Sequence, residues 1–139
     1  MLGKTAGGLF WMFRYLERAE NIARLVEAGW RIALTRSGDA ESEWESVVTT
    51  AGMRGPYCEK FDDFEASRVI NYLLRDPDNA SSVMSAVGAA RANARLVRTA
   101  LSSEVWEAVN ECWMAVKSAL ARPVTERTLA AVLSTIRDR

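Results

Sequence analysis

No histidine occurs anywhere in the chain, and that absence removes more chemistry than any other. Ser–His and Cys–His nucleophile pairs are ruled out, together with the usual imidazole ligands of zinc and haem. A carboxylate di-iron centre between bundle helices also draws on Glu-x-x-His motifs, so neither a metal nor a cofactor is expected. Cysteine is scarce too. Cys58 and Cys112, two in 139 residues, give neither a disulfide framework nor metal-ligand spacing and read as buried structural thiols. Neither sign of charge prevails, with 18 Lys+Arg against 18 Asp+Glu, so no basic field marks a nucleic-acid partner. No apolar run approaches the ~20 residues of a membrane span, and no basic segment followed by an apolar core opens the chain as a signal peptide would. The partners expected therefore include neither nucleic acid nor membrane, and the cytoplasm is the default location. Carboxylate or lysine chemistry is what remains open.

What is present is helical periodicity. Apolar or small residues recur at Leu9, Met12, Leu16, Ala19, Ala23, Val26, Trp30 and Ala33, with the alternating gaps of three and four that let an α-helix bury one side. Thr5 is placed to cap a start near Ala6, and the helix is expected to reach Arg36, with Gly38 closing it. Trp11, Leu25 and Ile32 lie on its other side, which predicts a central helix packed on more than one face. Glu41 to Ala51 reads as a second helix and residues 52–60, with Gly55-Pro56, as a loop. Asp62 and Glu65 resemble a capping box opening a third helix to Leu74. Asn79 is placed to cap a fourth running to Leu101, with an alanine-rich arc that allows close helix–helix approach. Ser102 or Ser103 opens a fifth, striped with Val105, Trp106, Val109, Cys112, Trp113 and Val116. Thr125 opens a final one. No segment alternates as a strand would. The prediction is all-α: one domain over residues 1–139, a bundle of five to six helices around a long central N-terminal helix.

Two charged rows supply the candidate site. Glu17, Glu20 and Glu27 fall at the edge of the apolar arc of the first helix, where partly buried carboxylates need cationic partners. Arg91, Arg95 and Arg98 form a strip beside the alanine arc of the fourth, and Asn93 sits within that arc, where its amide needs a partner, either a backbone carbonyl or a polar residue of the first helix. With Arg14, Arg18 and Asn21 these residues make a candidate polar seam between the two helices. It reads either as an anion-binding or catalytic cleft lined by both rows or as a charge network joining packed helices. The five tryptophans mostly occupy stripe positions and read as core, not as a stacking platform. Gly7-Gly8 follows no strand and is a poor phosphate loop.

Several separated segments carry a family resemblance. Arg14-Tyr15-Leu16-Glu17-Arg18-Ala19-Glu20-Asn21, Asp76-Pro77-Asp78-Asn79, Ala89-Ala90-Arg91-Ala92-Asn93-Ala94-Arg95 and Ser102-Ser103-Glu104-Val105-Trp106 are similar, in this order, to motifs of the bacterial alpha-E family, an all-helical domain with a Glu-Arg motif. Departures exist: Gly7-Gly8 stands where the family has polar residues, and Ala92 stands where an acid is expected. The resemblance implies that the chain corresponds to the N-terminal half of the family's domain. A second Arg-Tyr-Leu-Glu-Arg-like helix is then expected in the other half, and an apolar surface left uncovered would favour homo-oligomers. It also implies association with ATP-grasp-type ligases and transglutaminase-like proteins, in peptide or amino-acid amide chemistry, and brings no established catalytic residues. The function expected is a non-enzymatic binding or scaffold module. The alternative is an enzyme of peptide or amino-acid modification using Glu17 or Glu20 as general base.

Overall fold

Seven α-helices and no strand make up the described residues, 2–35 and 40–137, of the computed structural model. In chain order they are α1 (Leu2–Thr35), α2 (Ala40–Thr50), α3 (Arg54–Lys60), α4 (Ala66–Arg75), α5 (Val83–Leu96), α6 (Ser103–Ala119) and α7 (Glu126–Arg137), with one 3-10 turn at Arg98–Ala100. The all-α class and the long N-terminal helix are as the sequence indicates. Several boundaries differ. α1 already runs from Leu2, which places Thr5 inside it and not at its cap. Gly38 lies outside the described residues.

The stretch read as a loop folds into α3, a helix the sequence reading lacked. Pro56 occupies its first turn, where a missing N–H costs nothing, and the first bond is Tyr57 N–H to the Met53 carbonyl. α4 begins only at Ala66, since Asp63 accepts from the Glu65 amide in a local turn instead of joining a capping box with Asp62. Asn79 does not cap α5. Ser82 does, accepting from Ser85 N–H at 3.1 Å, while Asn79 is buried in the preceding turn with its Nδ2 donating to the Tyr72 carbonyl at 3.0 Å. The fourth predicted helix ends early: α5 stops at Leu96, and Ser102 then caps α6 as expected.

α1 is central. It lies along α5 for much of its length and also meets α2, α4 and α7, while α6 packs on α5 and α7. The α1–α5 crossing is close because its residues are small. Ala86, Ala90 and Ala94 of α5 are fully buried, and a Cβ placed on Gly8 would stand 2.5 Å from Val97 Cγ1. The second face of α1 is less covered than the periodicity suggests: Trp11 and Ile32 remain exposed.

The main core joins the C-terminal half of α1 to α2, α3, α4 and α7, and a smaller cluster of Met12, Ala90, Ala94 and Val109 closes the other end. Within the main core Tyr57, fully buried, stacks on Phe64 and meets Tyr72 edge-on, and its hydroxyl donates to the Asp63 carbonyl at 2.7 Å. Burial first, and the Asp63 charge second, push the Tyr57 phenol up to about 12. A folded pKa above the unfolded one, near 10, is a contribution fully present below about pH 10 and lost as the pH rises toward 12. Unfolding free energy is therefore expected to fall by up to about 1.4 kcal/mol per pH unit across that window. Urea titrations at pH 9 to 12 check it: Tyr57→Phe should flatten the slope, and an unchanged slope would remove Tyr57 as its source.

Candidate functional site

α1, α5, α6 and α7 do not close completely on one another. Between them lies a partly open cavity of about 620 Å³, within the roughly 300–1,000 Å³ typical of ligand pockets. α1 supplies one wall from Phe13 to Glu27, including Leu16, Ala19 and Ala23. Val87 of α5 and Cys112 and Val116 of α6 make the floor, and Leu133 and Ile136 of α7 the far wall. The interior is apolar, and its charged groups are Glu17, Glu20, Arg24 and Glu27, all from α1.

These acids are not the interhelical seam the sequence suggests. Glu20 accepts from its own helix neighbour Arg24 at 2.5 Å, and Glu27 from Arg31 at 2.7 Å, both at i,i+4. Such pairs add about 0.3–0.5 kcal/mol each to a helix, less where solvent screens them. Glu17 and Glu20 are exposed, while only the Glu27 side chain, 22% exposed, is substantially covered. No ion pair joins Glu17, Glu20 or Glu27 to Arg91, Arg95 or Arg98 among the described residues. The physical reason is angular. The acids flank the side of α1 that faces α6 and α7 across the cavity, whereas the close α1–α5 contact is made by small residues and excludes long side chains.

Arg91 of α5 and Arg98 of the 3-10 turn find aromatic partners instead. Arg91 lies 4.1 Å over the ring of Trp113 and donates its Nε–H to Asn110 Oδ1 at 2.9 Å. Lys117 approaches the same indole at 4.7 Å, and Arg98 lies 5.1 Å over Trp106. Stacked cations of this kind favour guanidinium groups on indole faces. Trp106 and Trp113, read from the sequence as core alone, are thus platforms between α5 and α6, while Trp44 is the tryptophan that is fully buried. Asn93 donates to the Ala89 carbonyl at 2.9 Å, the backbone alternative of the two expected for it. Arg14, Asn21 and Arg95 are exposed, and Arg18 leans on the Tyr15 ring. Cys58 is exposed, contrary to its reading as a buried thiol, because α3 turns it to the surface; Cys112 is half-buried.

Two residues the sequence reading passed over hold the far wall in place. Asn71 of α4 grips the backbone of Val124, donating to its carbonyl at 2.8 Å and accepting from its amide at 2.7 Å. One turn on, Arg75 donates to the Leu120 carbonyl at 2.9 Å. Together they fasten the α6–α7 connection, and with it the angle at which Leu133 and Ile136 face α1. The only sequence signal was a pair of polar groups at i,i+4 beside an apolar stripe.

Among the described residues no cluster of acidic, cysteine or histidine side chains could hold a metal, and no helix is long and apolar enough to cross a membrane. The fold and the groove define a helical bundle with a lateral, acid-rimmed cleft. The chain belongs to the alpha-E family, whose model, described as a predicted alpha-helical domain with a conserved ER motif, matches residues 1–138. That dipeptide occurs at Glu17-Arg18, on the α1 wall of the cleft, and again at Glu126-Arg127 where α7 begins. No curated protein and no solved structure matches the chain.

Proposed function

We propose that the chain is a non-enzymatic binding module of the cytoplasm that docks and positions an ATP-grasp-type amide ligase, or a transglutaminase-like protein, in peptide or amino-acid modification. The observation that supports this reading is the cleft itself: about 620 Å³, apolar within and charged only along α1. Such a surface suits an apolar anchor with polar complements at its edge. The choice of partner rests on the family resemblance carried by the Arg14–Asn21 and Ala89–Arg95 segments.

Affinity capture with the tagged chain from its native cells is expected to retain an ATP-grasp-type ligase. Glu20→Gln should weaken that retention by roughly a factor of ten if the carboxylate faces a cation of the partner. Capture of no such ligase, with Glu20→Gln behaving as the parent chain, would remove this reading. A second reading, an amide-modifying enzyme with Glu17 or Glu20 as general base, draws support from the convergence of both carboxylates on the cavity. It is distinguished by turnover: loss of product formation in Glu17→Gln or Glu20→Gln with partner binding retained would favour it.

A further inference from the structure

We infer that the occupant of the cleft is a basic amphipathic helix presented by the partner, its apolar side on Phe13, Leu16 and Ile136 and its Lys or Arg side chains on Glu17 and Glu20. This deepens the binding-module reading and rests on it.

Charge complementarity is the first argument. The cleft is lined by three carboxylates and one guanidinium, Arg24, all on α1; Arg31 already holds Glu27, so Glu17 and the exposed Glu20 are the acids that meet a ligand. A ligand therefore meets an acidic edge on one side and apolar side chains on the other three. An anionic or wholly apolar occupant would leave those carboxylates facing like charge or stripped of water. The existing partners offer little resistance. Arg24 and Glu20 are a solvent-exposed pair within one helix, with side chains 73% and 59% exposed, so an incoming cation can share the carboxylate without breaking a buried bond. Glu17 makes no ion pair among the described residues.

Shape is the second argument. The α1 wall extends from Phe13 to Glu27, about 20 Å at the rise of an α-helix. That length accommodates three to four turns of a docked helix (roughly fourteen residues), which is the groove-binding mode in which apolar anchors recur at i, i+3/i+4 and i+7. Glu17 and Glu20 lie about one turn apart, so two cations one turn apart on one ligand face reach both. Phe13, 61% exposed at the mouth, adds an aromatic edge for the apolar side of such a helix.

The test uses the full chain and a fluorescein-labelled synthetic helix of about fourteen residues, Leu and Ala on one side and Lys on the other. A twin in which Glu replaces every Lys is the control. Anisotropy titration is expected to show saturable binding of the Lys peptide and none of the Glu peptide. Glu17→Arg with Glu20→Arg, both at exposed positions, should weaken binding at least about tenfold while circular dichroism stays that of the parent. Location is read independently. In a Cys58→Ser chain, bound Lys peptide should slow labelling of Cys112, which lines the floor. Failure of the Lys peptide to bind, equal binding of both peptides, undiminished binding after the double reversal, or an unprotected Cys112 would each overturn the inference. Retention of the ligase by the doubly reversed chain would leave the binding-module reading standing and remove this one. Peptide binding without ligase capture would do the opposite.

Discussion

Trp44→Ala is expected to lower the unfolding free energy by about 3–5 kcal/mol, the cost of emptying a large aromatic site in a packed core. Trp44 is 1% exposed and belongs to the main core. Its ring lies against α1 at Gly29, where an added Cβ would come within 3.2 Å of Trp44 Cζ3 and 2.5 Å of Val47 Cγ2. Gly29 and Trp44 thus form a knob and its socket, and nothing on α1 can lengthen to refill the space. For a chain of this size the loss corresponds to a fall of about 10–20 °C in melting temperature. Trp44→Phe should cost much less. It keeps most of the ring and removes an indole N–H that meets no acceptor among the described residues. Thermal melts of the two variants decide it: a fall of under about 3 °C for Trp44→Ala would mean that α2 is not seated on α1.

Asn71→Ala is expected to cost about 1–3 kcal/mol, because it removes the side-chain partner of both backbone groups of a buried residue. Val124 is 1% exposed, and Asn71 holds both its amide and its carbonyl across 53 residues of sequence. The consequence reaches the cleft. Val124 lies two residues before the start of α7, and Leu133 and Ile136 of α7 line the cleft together with α1. The variant should therefore lose occupancy of the cleft at temperatures where it is still folded, whereas Trp44→Ala should lose it only as it unfolds. Hydrogen exchange separates the two. The Val124 amide should lose protection in Asn71→Ala while the α5 amides keep theirs; retained protection at Val124 would show another acceptor replacing the Asn71 side chain.

Legibility differed sharply between elements. The stripe from Leu9 to Ala33 and that from Val105 to Val116 announce α1 and α6 because a long helix repeats its pattern many times. α3 has seven residues, including Gly55 and Pro56, and is too short for periodicity to outweigh turn-forming composition. It exists because Tyr57 must enter a cage built by Phe61, Phe64 and Tyr72, and that is a tertiary demand. The Ser82 cap was hidden for a similar reason. Asn79 has equal capping ability, but its Oδ1 accepts from the Ser81 amide in the preceding turn while its Nδ2 donates to the Tyr72 carbonyl, which withdraws it.

The candidate site was half legible. Glu17, Glu20 and Glu27 were singled out from their place at the edge of an apolar arc, and they do line the cavity. Their supposed partners do not. A helical wheel gives the direction of a side chain but not the distance to the next helix. α5 approaches α1 through alanine and Gly8 too closely for a guanidinium to enter, so Arg91 and Arg98 turn to the indoles of α6.

By itself the sequence determined the helical class, the presence and main apolar stripe of the long helices, and the exclusion of imidazole chemistry, since each follows from local periodicity or from composition. Only the tertiary structure decided that α6 and α7 stand off from α1 and leave a cleft, and that Asn71 sets the stance of its far wall. Both depend on contacts between residues fifty or more positions apart, and such separations leave no periodic trace in one chain.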